Sequence, residues 1–399
     1  MDVEMMRFFS KFFVIACLCL FTIHPIVECS ILVQNSKDEI EGCDSLLKLR
    51  PLRKLESEDL NTVFKSISDI QLGNNDTLYV CDSALNQVRV FDSDWKFLKT
   101  IGRRGKGPGD FIGPICLGYS PGIGLAVLEF QGMRIQLFNQ NGNAQGLIKL
   151  KGLLNWMDVT SKNEFILYNS YRTFRSRKLL FVINKKGKFL REIGNYHDPS
   201  DNFFDSEKFV FALDDLDNIY VASFHAPVIR KYSSNGKLLQ CITFEMPFRI
   251  PHVSVELMNG GEDVMIKNAG LPPIRRPDGS KVESKNPWRT CVKAIAVDSM
   301  QRIYVVSNSR LLTKEESRKT EVRVEGGING ISKIVGPTID IEDYPICNRL
   351  LVFDKKGKII ATSPLKLPFS SPTIKGNRLF LVDDVLDSTV WEYEACFSK

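Results

Sequence analysis

One short β-rich pattern recurs along this chain, and repeats of that kind can bury their apolar strands only by stacking against one another. The clearest copy runs Asp76-Thr-Leu-Tyr-Val-Cys-Asp82, then Gln87-Val-Arg-Val-Phe-Asp92, then Phe97-Leu-Lys-Thr-Ile-Gly102. Apolar runs of strand length alternate there with Asp, Asn, Ser and Gly, the residues that turn a chain back on itself. The pattern returns at Asp217-Asn-Ile-Tyr-Val-Ala222 with Val228–Tyr232, and at Gln301-Arg-Ile-Tyr-Val-Val306 with Arg349-Leu-Leu-Val-Phe-Asp354. A further copy joins Asn377-Arg-Leu-Phe-Leu-Val-Asp383 to Thr389-Val-Trp-Glu-Tyr393. Two weaker copies start at Gly124-Leu-Ala-Val-Leu-Glu129 and Glu164-Phe-Ile-Leu-Tyr168.

Equivalent strands begin near 78, 125, 165, 219, 303 and 379. The first three intervals suit the roughly 40–50 residues of a four-stranded propeller blade. The last two intervals are too long, which places insertions near 245–290 and 308–347. The fold class is therefore all-β, a six-bladed β-propeller. A ring of blades must close to remove its sheet edges. The sixth copy runs out of chain after Phe397, so Leu46 to Leu55 is expected to supply its fourth strand. The N- and C-terminal strands then share one blade, and Val63 to Leu72 becomes the inner strand of blade 1. The domain reading is a signal over 1–29, a linker over 30–45, and the propeller over 46–397.

Arg7 and Lys11 precede an apolar run from Phe12 to Ile23, followed by His24 and Pro25. A positive start, a short apolar core and a break are the order of parts in a secretory signal. The run is shorter than the roughly 20 residues a spanning helix needs. Cys29 stands where a lipidated cysteine could sit, although Glu28 replaces the small residue expected before it. Export is the reading, to the periplasm, the outer membrane or the cell surface, with contact to the membrane only through a lipid anchor. The 53 Lys+Arg against 47 Asp+Glu give a net charge of +6. Spread over 399 residues, that charge implies neither nucleic acid nor an anionic surface. Ten cysteines are scattered without a C-x-x-C, which disfavours a thiolate zinc knuckle.

After the first copy comes Ile101-Gly-Arg-Arg-Gly-Lys-Gly-Pro-Gly-Asp-Phe-Ile-Gly-Pro114. With Asp82, Asn86, Phe91 and Asp92 before it, this segment resembles the NHL-type six-bladed propellers, in the subset abundant among exported bacterial proteins. The matching positions continue at Ile101, Gly102, Gly105, Gly107, Pro108, Gly109, Asp110 and Phe111. Only the first blade matches closely; the others keep the strand skeleton. The glycines allow backbone angles closed to other residues where the chain passes between blades, and Phe111 can plug the gap between sheets. A phosphate cradle is the competing reading. No helix follows the segment, however, and the lysine spacing is not that of a P-loop.

In a propeller, the loops joining strands two and three share one face with those joining successive blades. Copy alignment puts Asp82, Arg103, Arg104, Glu129, Arg134, Tyr171, Arg172, His225, Asn308, Asp383 and Asp384 on that face. Mixed charge at a funnel mouth suits a peptide, a glycan or a polar small molecule. The competing reading for Asp82 and Asp383 is that each caps a turn by accepting backbone amides. Related propellers that act as lyases hold zinc on several histidines, and this chain has only His197, His225 and His252 beyond His24. Asp383-Asp384 offers oxygen ligands to a hard cation. No G-x-S-x-G elbow is present. The sequence assigns no catalytic residue, metal or cofactor. It points to a monomeric, exported, non-enzymatic module that binds through the channel mouth. A metal-dependent lyase or hydrolase on the same face is the alternative.

Overall fold

The computed structural model describes residues 31–43, 46–55, 64–168, 178–195, 209–224, 227–245, 255–258, 263–266, 292–308, 323–325, 333–335, 348–365, 370–383 and 389–397. Six antiparallel sheets follow one another along the chain as the blades of a propeller. Blade 1 holds Ile67–Leu72, Leu78–Asp82, Gln87–Phe91 and Phe97–Ile101, from the axis outward. Blade 2 holds Pro114–Ser120, Gly124–Glu129, Arg134–Phe138 and Ala144–Lys149. Blade 3 holds Trp156–Val159, Glu164–Tyr168, Lys178–Asn184 and Phe189–Asn195. Blade 4 holds Phe209–Leu213, Ile219–Ser223, Val228–Tyr232 and Leu238–Phe244. Blade 5 holds Val292–Val297, Ile303–Asn308, Asn348–Phe353 and Ile359–Leu365.

Blade 6 is the joint. Its three inner strands, Ser370–Lys375, Arg378–Asp383 and Thr389–Phe397, are C-terminal, and its outer strand is Leu47–Leu55. That strand lies antiparallel to Thr389–Phe397, with Leu47 opposite Phe397 and Leu55 opposite Val390. Leu47 is buried among Leu379, Leu381 and Ala395. Ionic contacts carry the joint into blade 1: Arg53 and Arg378 both meet the buried Glu392, and Arg378 Nη1 lies 2.9 Å from Asp76 Oδ2.

The strand pattern explains the order of the layers. Second strands such as Leu78–Asp82 and Gly124–Glu129 are buried at every position, because neighbouring blades cover both of their faces. Outer strands such as Phe97–Ile101 keep only an end inside. Apolar clusters therefore form between blades. One gathers Val88, Val90 and Ile101 of blade 1 with Leu125, Val127 and Phe138 of blade 2.

The stretch read as a linker, 30–45, contains regular structure. Leu32–Asn35 adds a fifth strand to blade 4, parallel to Leu238–Phe244. A short helix, Lys37–Gly42, follows behind a Ser36–Glu39 capping box and buries Ile40 against Ile242 and Ile359. Each insertion contains a two-stranded hairpin, Val255–Met258 with Asp263–Ile266, and Arg323–Glu325 with Lys333–Val335. The signal over 1–29 lies outside the described residues. Among those described, no helix is long and apolar enough to cross a membrane.

Because Leu47 is buried where the ring closes, Leu47→Ala is expected to cost about 3 kcal/mol in chemical denaturation. The exposed Leu52→Ala on the same strand should stay within about 0.5 kcal/mol.

Candidate functional site

The two ends of the propeller are built differently. At one end, every connection spans at most five residues, as at 92–96, 139–143, 214–218 and 354–358. In most of them the geometry repeats because a polar side chain at the start caps the turn. Asp92 Oδ1 accepts from the Asp94 and Lys96 amides, Asn184 Oδ1 from Lys186 and Lys188, and Asp354 Oδ1 from Lys356 and Lys358. Asp214 and Asp298 do the same between first and second strands. At the other end, the connections between Phe244 and Val292 and between Asn308 and Asn348 carry both insertions. These two ends are called the turn face and the loop face.

Four predicted residues end second strands at the loop face: Asp82, Glu129, Asn308 and Asp383. Two of them, Asp82 and Glu129, hold structure together there. Asp82 is wholly buried, and its two oxygens accept from the Lys65 and Leu85 amides at 2.8 and 3.0 Å, as a turn cap does. Glu129 is also buried; Oε1 accepts from Arg134 Nε and Gln136 Nε2, and Oε2 from the Ile112 amide at 2.7 Å. Arg134 then donates to the carbonyls of Lys106 and Asp110. Asn308 is half-buried opposite Asn348, and Asp383 is buried opposite Thr389.

The Gly-rich segment is therefore pinned from below. Phe111 is wholly buried between blades 1 and 2, with its ring centroid 5.6 Å from that of Phe138. Gly102 has φ +80°, and a Cβ there would lie 2.2 Å from the Phe111 ring. Gly109 donates its amide to Gln136 Oε1. Arg103 and Arg104 project from this clasp into solvent, Arg103 Nε reaching Asp110 Oδ1 at 3.0 Å. Tyr171, Arg172, His225 and Asp384 lie outside the described residues.

Along the axis runs a cavity of about 720 Å³, lined by the inner strands of all six blades. None of the seven described candidates lines it; its polar residues include Asp69, Asp158 and Lys293, beside Tyr119, Trp156 and Phe209. Sequence reasoning missed Asp69 and Asp158, although each breaks an apolar inner strand, Ile67-Ser-Asp-Ile and Trp156-Met-Asp-Val. A bulge between Ile67 and Asp69 re-aims the latter, and its Oδ2 accepts from the Leu117 amide of blade 2 at 2.8 Å. Burial pushes the Asp69 carboxyl up to about 7 against the pull of that amide, and burial raises Asp158 to about 7 as well. Among the described residues, no group of three or more His, Cys, Asp or Glu is placed to hold a metal ion.

Comparison with known proteins agrees with the architecture. A family of 6-bladed beta-propellers, DUF5128, matches residues 28–116. No curated protein matches the chain. Among solved structures, a protein of Bacteroides fragilis described as a candidate exported protein is similar at 12% identity and TM-score 0.54, over 92% of this chain and 99% of that one. A member of the DUF4221 family from Bacteroides vulgatus is similar at 10% identity and TM-score 0.50, over 88% and 99%. At such identities the likeness is one of fold.

Arg134→Ala strands the buried Glu129 carboxylate and should cost about 3–5 kcal/mol, with faster proteolysis at 103–110. The exposed Arg103→Ala should change the denaturation midpoint negligibly. The channel acids set a pH dependence. Their folded values stand above the ordinary 3.8, so the fold favours the neutral acids. That contribution is full below pH 3.8 and is lost as pH rises through about 7. Denaturation midpoints are expected to fall between pH 5 and pH 8, and Asp158→Asn should make the fall smaller.

Proposed function

We propose that this protein is an exported, non-enzymatic binding module that engages a protein, peptide or carbohydrate on its loop face, around the channel mouth. The observation that carries this reading is the unequal elaboration of the two ends. The turn face is built from turns of at most five residues, while both insertions are carried by connections of the loop face. Loops on a rigid scaffold are where recognition surfaces are built. The exposed Arg103 and Arg104 stand on that face above a clasp that fixes their backbone. Export is supported by Arg7, Lys11 and the apolar run Phe12 to Ile23, and by the likeness of fold to a candidate exported protein.

An array of peptides and purified polysaccharides, probed with the intact chain, tests the reading. Binding should be lost in a variant carrying Arg103→Glu and Arg104→Glu, and in one with 267–290 replaced by a Gly-Ser linker. Lys185→Glu, on the turn face, should bind normally. Binding that survives both loop-face changes and disappears with Lys185→Glu overturns the proposal. Recovery of the chain in the cytoplasmic fraction of its host overturns the export half.

A further inference from the structure

The turn face carries a second surface, and its charge follows from how its turns are made. In four of the capped turns the residue at the first position is an aspartate that points its carboxylate onto backbone amides, Asp92, Asp214, Asp298 and Asp354. Negative charge is thereby withdrawn from the surface. The last position of the turn between third and fourth strands is lysine in four blades, at Lys96, Lys188, Lys237 and Lys358, and each is exposed. In all the turns of this face, the exposed acids are Asp94 and Asp215 alone. A chain with only a mild net charge thus concentrates cations in the turns of one end, Lys358 among them being paired with Glu39 of the short helix.

The lysines are not spread evenly around the ring. Lys185, Lys186 and Lys188 stand on blade 3, and Lys355, Lys356 and Lys358 on blade 5. On the same face, Leu216 at a turn of blade 4 is 66% exposed, and Met300 at the equivalent turn of blade 5 is 59% exposed. Exposed apolar tips sharing one face with lysines are the pattern of a surface that rests on anionic headgroups and inserts shallowly between them.

A second, independent observation concerns where the chain enters. The strand Leu32–Asn35 lies on the edge of blade 4, Leu32 opposite Cys241, and the Cys241 amide donates to Ile31 O. Lys358 of blade 5 donates to Gln34 O and reaches Glu39. The apolar run Phe12 to Ile23 precedes this point by only a few residues. Ile31, where the described chain begins, therefore lies in the sector of the ring that carries the lysines.

We infer that the turn face of blades 3 to 5 docks on an anionic lipid surface, with Leu216 and Met300 at the headgroup boundary, so that the loop face points away from the membrane. This goes beyond the ligand-binding reading and stands or falls without it.

The test is sedimentation of the intact chain with vesicles of phosphatidylcholine, alone or with about 30% phosphatidylglycerol. The apolar N-terminus contributes alike to both vesicle types, so the ratio between them reads the lysines. Wild type should prefer the anionic vesicles by about tenfold or more, and the preference should collapse between about 0.1 M and 0.5 M salt. Lys185→Glu, Lys186→Glu, Lys355→Glu and Lys356→Glu together should abolish the preference while leaving the thermal midpoint in place. Leu216→Ser with Met300→Ser should weaken binding to anionic vesicles several-fold. Arg103→Glu with Arg104→Glu should not alter it. Equal binding to both vesicle types, or an undiminished preference in the four-lysine variant, overturns the inference. Retention on soluble heparin with no preference for anionic vesicles also overturns it, and assigns the surface to a soluble polyanion.

Discussion

The pairing of Leu47–Leu55 with Thr389–Phe397 turns a row of sheets into a ring. Without it, blade 6 would expose the outer edge of its third strand, and blade 1 would lose a packed neighbour. Main-chain bonds supply the alignment, and the burial of Leu47 towards blade 5 and of Leu55 towards blade 1 specifies the register, since a slip of one residue would turn each to the opposite face of the sheet. The shared Glu392, held between Arg53 and Arg378, adds a directional contact where the chain's two ends meet.

Once the ring is closed, its ends are free to differ. Between first and second strands, and between third and fourth, the chain needs only a tight reversal, and a capping Asp, Asn or Ser supplies it. At the opposite end the chain must cross from one blade to the next, and there length is tolerated at little cost. The Gly-rich segment shows how one such crossing is fixed. Phe111 fills the gap between blades 1 and 2, Gly102 leaves room for its ring, and the Glu129–Arg134 pair grips the backbone above it.

Much of this was legible in the residues. Six strand clusters, the donated N-terminal strand and both insertions follow from apolar periodicity and turn chemistry, because each is a local signal repeated along the chain. The strand at Leu32–Asn35 was not legible. Its four residues follow a parallel edge more than 200 positions away (Asn35 Nδ2 to Thr243 O spans 208), and nothing local marks such a partner. The site residues fared unevenly for a similar reason. Copy alignment correctly placed Asp82, Glu129, Asn308 and Asp383 at equivalent strand ends. It could not tell side chains turned inward onto amides, as those of Asp82 and Glu129 are, from ones offered to a ligand. The acids of the channel escaped notice because Asp69 and Asp158 sit in strands otherwise read as plain apolar core.

The donated strand also constrains when this protein can become itself. Arg50 meets Glu394 across 344 positions of sequence. During synthesis the first partner is made long before the second exists, so no nascent fragment contains a finished circle. Individual sheets can assemble as they emerge, but the seam waits for the final residues. A chain truncated shortly before its end would therefore be left as an open fan with two raw margins, a natural substrate for quality-control proteases.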